Sequence, residues 1–106
     1  MPIYTIAEYR VRPAGVRKVQ RAIEEFVPYV KANEPGTRMY QAWQKKDDPT
    51  QFVHLFIFED EVAHAAHSQS QAVKRFEAEY RPELDGGEVI FTDYDLIATN
   101  QKTLGN

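Results

Sequence analysis

Gln51-Phe52-Val53-His54-Leu55-Phe56-Ile57-Phe58 is the stretch on which the fold turns. Its β-branched and aromatic residues predict a strand. From Phe52 on it is apolar on both faces, however, where a half-exposed antiparallel strand alternates apolar with polar. A strand of this kind needs cover on both sides. It ends at Glu59-Asp60-Glu61, acids that suit the positive end of a helix dipole. It is preceded by Lys45-Lys46-Asp47-Asp48-Pro49-Thr50, a polar hairpin loop that predicts an antiparallel partner strand over Thr37 to Gln44.

Working outward, Ile3 to Val11 predicts a first strand, ended by Pro13-Ala14-Gly15. Val16, Val19, Ile23, Phe26, Val27 and Val30 then fall at helical spacing, with Arg17, Lys18, Arg21, Glu24 and Glu25 on the other side. Pro28 is expected to remove one hydrogen bond and kink the last turns, and Asn33-Glu34-Pro35-Gly36 to stop the helix. Beyond the central strand, a short helix is expected from about Asp60 to His67. Ser68-x-x-Gln71 resembles a capping box opening another helix, with Val73, Phe76 and Tyr80 on its buried stripe. Arg81 to Gly87 reads as a loop, Glu88 to Ile97 as a fourth strand, and 98–106 as a tail after a single domain over 3–97.

The order βαββαβ is that of an α+β ferredoxin-like antiparallel sheet with its helices on one face. Those helices cover one side of the sheet only. A second copy, packed sheet against sheet, is the expected cover for the other. Val89 and Phe91 against Ile90 and Leu96 repeat the two-sided pattern on the fourth strand.

Composition narrows the function classes. With 106 residues, 42% hydrophobic and 12% aromatic, the chain is one globular domain. A net charge of -3 argues against an electrostatic nucleic-acid binder, which shows a basic face. No apolar run approaches the length of a membrane span. Met1-Pro2-Ile3-Tyr4-Thr5 has no basic region leading into an apolar one, so a cytoplasmic location is expected. Without cysteine there is no disulfide, thiolate nucleophile, cysteine-bound zinc or iron–sulfur cluster. No glycine-rich nucleotide cradle and no Gly-x-Ser-x-Gly elbow occurs. Chemistry is left to His, carboxylates, Tyr, Arg and Trp.

Glu34-Pro35-Gly36-Thr37, Tyr40, Asp48-Pro49, Phe58-Glu59-Asp60 with Ala63 and His67, and Phe76, in that order, resemble the antibiotic biosynthesis monooxygenase domain family. The likeness runs over about residues 3–97. It implies a dimeric α/β barrel. For the monooxygenase branch it also implies chemistry without flavin, haem or metal: a deprotonated phenol or hydroquinone itself passes an electron to O2. The protein's part is then to bind the anion, take the proton and exclude water. The family also holds isomerases, haem-degrading enzymes and members of other roles, so the fold alone does not settle the activity. The haem-degrading relatives resemble a pattern of Asn, Trp and a His ligand at the positions that here hold Glu8, His67 and Glu77. The iron ligand is missing.

His67 matches the family's helix histidine and is the candidate general base, since the ordinary histidine pKa of about 6.5 suits that task. The plainer alternative is a helix-end histidine that favours the C-terminal dipole or caps carbonyls; as a base at a helix end it is expected to contribute little packing, so that its replacement by Ala leaves stability nearly unchanged. His64 and His67, one turn apart, with His54 as a third, raise a metal site, but no carboxylate is fixed beside them and no metal is expected. Glu8, Tyr9, Tyr40 and Trp43 are the candidate substrate contacts. Tyr40 and Trp43, three apart on one strand, point to opposite faces, so one is expected in a pocket and the other in the dimer core. A carboxylate in an apolar strand is costly if buried alone, so Glu8 reaches solvent, pairs with Arg10 or Arg38, or lines the pocket. Arg17, Lys18 and Arg21 read as a solvated helix face and Lys45-Lys46 as an exposed hairpin tip.

The expectation is a homodimer that oxidises a small aromatic phenol or quinol with O2 and needs no cofactor. The alternatives are an isomerase or degrading enzyme for a small metabolite, and a non-catalytic ligand-binding or stress-response module. A pocket of some hundreds of Å3 with His67 pointing into it favours an enzyme, and a collapsed pocket filled by Phe and Tyr favours the non-catalytic module.

Overall fold

The computed structural model describes residues 1–101. Its elements are β1 (Ile3–Arg10), α1 (Val16–Asn33), β2 (Thr37–Gln44), β3 (Gln51–Phe58), α2 (Glu61–Ser68), α3 (Gln71–Tyr80) and β4 (Ile90–Tyr94), with short 3-10 turns at Pro13–Gly15 and Arg81–Glu83. The four strands pair antiparallel in the order β2-β3-β1-β4, so β3 and β1 are central. This is the expected α+β ferredoxin-like arrangement.

Register sorts the side chains. Thr5, Ala7 and Tyr9 of β1 and Phe52, His54, Phe56 and Phe58 of β3 share the buried face beneath the helices. Phe26 of α1 stacks on Phe76 of α3 at 4.6 Å, closing the core above them. The opposite face carries Tyr4, Ile6 and Glu8 of β1, Val53, Leu55 and Ile57 of β3, Trp43 of β2, and Ile90 and Tyr94 of β4. No helix among the described residues lies over it: Trp43 is 56% and Ile90 64% exposed.

Several boundaries differ from expectation. α1 runs on through Pro28 to Asn33. The cap of α3 is Ser70, whose Oγ accepts from the Val73 N–H, because α2 persists through Ser68 and uses up the proposed cap. β4 is shorter than expected because β1 pairs with it only from Tyr4 to Glu8. Lys18 is more than solvated surface: with Arg12 it pairs with Glu83, a buried carboxylate that the Arg12 hydrogen bond holds below the usual range. The tail expected at 98–106 lies, from residue 102, outside the described residues. No helix among the described residues is long and apolar enough to cross a membrane.

Candidate active site

Glu34-Pro35-Gly36-Thr37 is built to aim a carboxylate. Glu34 caps α1, its N–H donating to Val30 O, and Thr37 N–H returns to Glu34 O. Gly36 lies so close to α2 that a Cβ on it would come within 2.6 Å of the Ala63 Cβ. Asp60 fixes the start of that helix, accepting from the Ala63 N–H at 2.9 Å. The close approach carries His67, one turn further along, to the turn. Its Nδ1 lies 2.6 Å from Glu34 Oε1, which also accepts from Thr37 Oγ1 at 2.9 Å.

An ionised carboxylate only accepts, so the proton on this contact belongs to His67 Nδ1. In the neutral imidazole that leaves Nε2 with its lone pair, the arrangement in which a carboxylate orients an imidazole as a base. Nε2 has no protein partner among the described residues and is not sealed from solvent. The buried second oxygen of Glu34, Oε2, has no partner in the described structure.

His67 lines a cavity of about 130 Å3 between sheet and helices, with Ala7, Tyr9, Phe26, Tyr40, His54, Phe56, Phe76 and Tyr80 among its walls. It is smaller than the several hundred Å3 expected. An apolar cavity of about 150 Å3 holds benzene, so this space is slightly smaller than one that takes a single aromatic ring. Larger clefts of about 310 Å3 between α1 and α3 and about 660 Å3 between α1 and the free edge of β2 contain no histidine.

At the sheet side of the cavity lies His54, 2% exposed, between two phenols. Tyr9 Oη is 2.7 Å from its Nε2 and Tyr40 Oη 2.7 Å from its Nδ1. Burial pushes the His54 pKa down to about 4, and burial pushes both phenols well above their ordinary value. The chain of three groups is therefore neutral at physiological pH.

The structure brings Tyr9, Tyr40 and His67 to one cavity. It places Glu8 and Trp43 on the opposite sheet face, because each differs in strand parity from the cavity residue beside it: Glu8 adjoins Tyr9, and Trp43 lies three positions from Tyr40. Glu8 is exposed there. His67 is buried rather than a loosely packed cap, with Phe58 and Phe56 rings 5.2 and 5.6 Å away. His64 stacks on Phe58, and among the described residues no cluster of three His, Asp or Glu could hold a metal ion. Glu34 is not among the candidate site residues read from the sequence, and His54 enters there only as a possible third metal ligand. Glu34 stood in the quoted motif, where it reads as part of a turn.

No protein of curated function matches the chain. Among solved structures, a Bacteroides thetaiotaomicron protein designated an antibiotic biosynthesis monooxygenase superimposes with a TM-score of 0.87 at 17% identity, covering 96% of this chain and 95% of that one. A Caulobacter crescentus protein of the same designation gives 0.83 at 24% identity over 92% and 91%. The protein Rv0793 from Mycobacterium tuberculosis gives 0.83 at 18% over 95% and 100%. At such identities the likeness establishes the fold. The family model for antibiotic biosynthesis monooxygenases matches residues 2–79, which include the Glu34 turn, β3 and the His67 helix. The chain belongs to the antibiotic biosynthesis monooxygenase family.

Proposed function

We propose that the protein is a cofactor-independent monooxygenase acting on a single-ring, electron-rich phenol or quinol. The observation that carries this reading is the Glu34–His67 pair, whose imidazole lines an aromatic cavity. Nε2 takes the phenolic proton. The phenolate gives one electron to O2, and the two radicals join at a hydrogen-bearing ring carbon para to the oxygen or, in a quinol, ortho to it. Loss of water from the resulting hydroperoxide leaves a quinone. Phenol plus O2 thus becomes quinone plus water, with one oxygen atom retained and all four electrons supplied by the ring. The walls exclude bulk water while the radical pair exists.

We propose further that two copies pair through the sheet face bearing Leu55, Val53 and Trp43. The apolar character of that face supports this, since its half-buried and exposed side chains otherwise stand in water.

Oxygen uptake by the purified protein against a panel of one-ring quinols, in chelator-treated buffer, tests the activity. Consumption of one O2 per quinone formed, with one oxygen atom gained by the ring and no hydrogen peroxide released, is the expected result; release of one H2O2 per quinone would make it an oxidase. Binding of the same compounds without uptake would instead make the cavity that of a ligand-binding module.

A further inference from the structure

The two contacts on His54 impose a proton count. A neutral imidazole carries one N–H and one lone pair, so one tyrosine donates to it and the other accepts from it. The accepting tyrosine keeps its own O–H hydrogen. Neither hydroxyl has a second partner among the described residues. One unspent donor therefore remains in a buried aromatic cavity, where an unmet polar hydrogen is costly.

The surroundings say which tyrosine holds it. Tyr9 is wedged between Phe52 and Tyr80, at 5.6 and 5.3 Å, and is 8% exposed. Tyr40 stands edge-on to His67, ring centres 6.1 Å apart, on the wall of the cavity that both tyrosines line. We propose that protons are ordered from Tyr9 to His54 Nε2 and from His54 Nδ1 to Tyr40, so that the Tyr40 hydroxyl donates to the ligand oxygen whose proton passes to His67. Tyr40 is then the group that recognises and steadies the phenolate. Tyr9 and His54 are positioning residues that keep its hydrogen turned toward the ligand. The chain polarises along its length, which strengthens the last donor. A ligand at this point needs an oxygen that accepts, so a ring without one is discriminated against. The inference rests on the phenol-binding part of the reading above and not on turnover.

Two measurements without O2 test it. The 15N shifts of His54 report its tautomer, and Nδ1–H is expected in the free protein. Binding of 4-fluorophenol and of fluorobenzene, followed by 19F resonance, reports recognition of the oxygen. Tyr40→Phe is expected to weaken 4-fluorophenol roughly 10- to 100-fold, as loss of a hydrogen bond to a charged or developing anion does, and to leave fluorobenzene unchanged. Tyr9→Phe should shift His54 toward a mixture of tautomers and cost 4-fluorophenol about threefold, as its orienting donor is lost. An Nε2–H tautomer in the wild type overturns the proposal. So does an unchanged preference for the phenol in Tyr40→Phe, or failure of the wild type to bind it. Normal binding and tautomer with no oxygen uptake would leave this inference standing and remove the monooxygenase reading.

Discussion

His67 Nδ1 and Glu34 Oε1 meet at 2.6 Å across 33 positions of sequence, joining α2 to the turn that ends α1. The contact depends on backbone proximity rather than on side-chain reach. Gly36 and Ala63 let the turn and the helix touch, and the acid and the imidazole lie on either side of that touch.

Gly36 is the weak point of this arrangement. A methyl group there would overlap the Ala63 Cβ at 2.6 Å, so Gly36→Ala forces α2 outward. A loss of about 1–3 kcal/mol in urea denaturation is expected, the usual range for overpacking. Adding Ala63→Gly should recover much of it. A Gly36→Ala protein of wild-type stability would show that the helix is not held there.

The open sheet face should be an interface of at least about 2,000 Å2 in total, as for stable homodimers. The wild type is expected to sediment as a dimer at micromolar concentration. Leu55→Asp, which puts a charge at the centre of that face opposite Ile6, should give monomer or aggregate. A well-folded wild-type monomer under those conditions would contradict the argument from β3.

His54 couples stability to pH. Its folded-state pKa of about 4 lies below the ordinary 6.5 because burial disfavours the cation. Between these values the unfolded chain takes up a proton that the folded chain refuses. The stabilisation is therefore whole above pH 6.5 and lost as the pH falls toward 4, by about 3 kcal/mol from this group. Stability measured across that window should show a shallower loss in His54→Gln than in the wild type. Equal slopes would mean that His54 protonates in the folded protein.

The fold could be read from β3 because a strand apolar on both faces between a polar hairpin and a run of acids admits few architectures. The sites were harder. Tyr9 and Tyr40 lie on β1 and β2, on either side of β3, and only the register, with Tyr40 opposite Phe56 and Tyr9 opposite Phe52, brings their hydroxyls to His54. Spacing along one strand carries no information about that. His54 accordingly suggested a third metal ligand when read with His64 and His67. Glu8 and Tyr9 are adjacent, so strand parity alone separates them to opposite faces, and the same parity parts Trp43 from Tyr40. Glu34 was hidden differently: Glu-Pro-Gly is a sufficient turn signal, and its carboxylate acquires a role only once α2 returns over it.

The burial of His67 alters what its removal should do. Replacement by Ala would leave a hole among Phe26, Phe56 and Phe58 and a buried carboxylate without its partner, so stability should fall as well as activity. His67→Gln keeps most of the volume and an amide donor for Glu34, and separates the two effects. The most direct measurement is the rate of O2 consumption with a one-ring quinol that the wild type oxidises, compared with that of folded His67→Gln and Glu34→Gln. The account predicts a roughly 100- to 10,000-fold fall for His67→Gln, the range for losing a general base. For Glu34→Gln it predicts a fall of roughly 10- to 100-fold, as for loss of an orienting partner. Wild-type rates in both variants would contradict it.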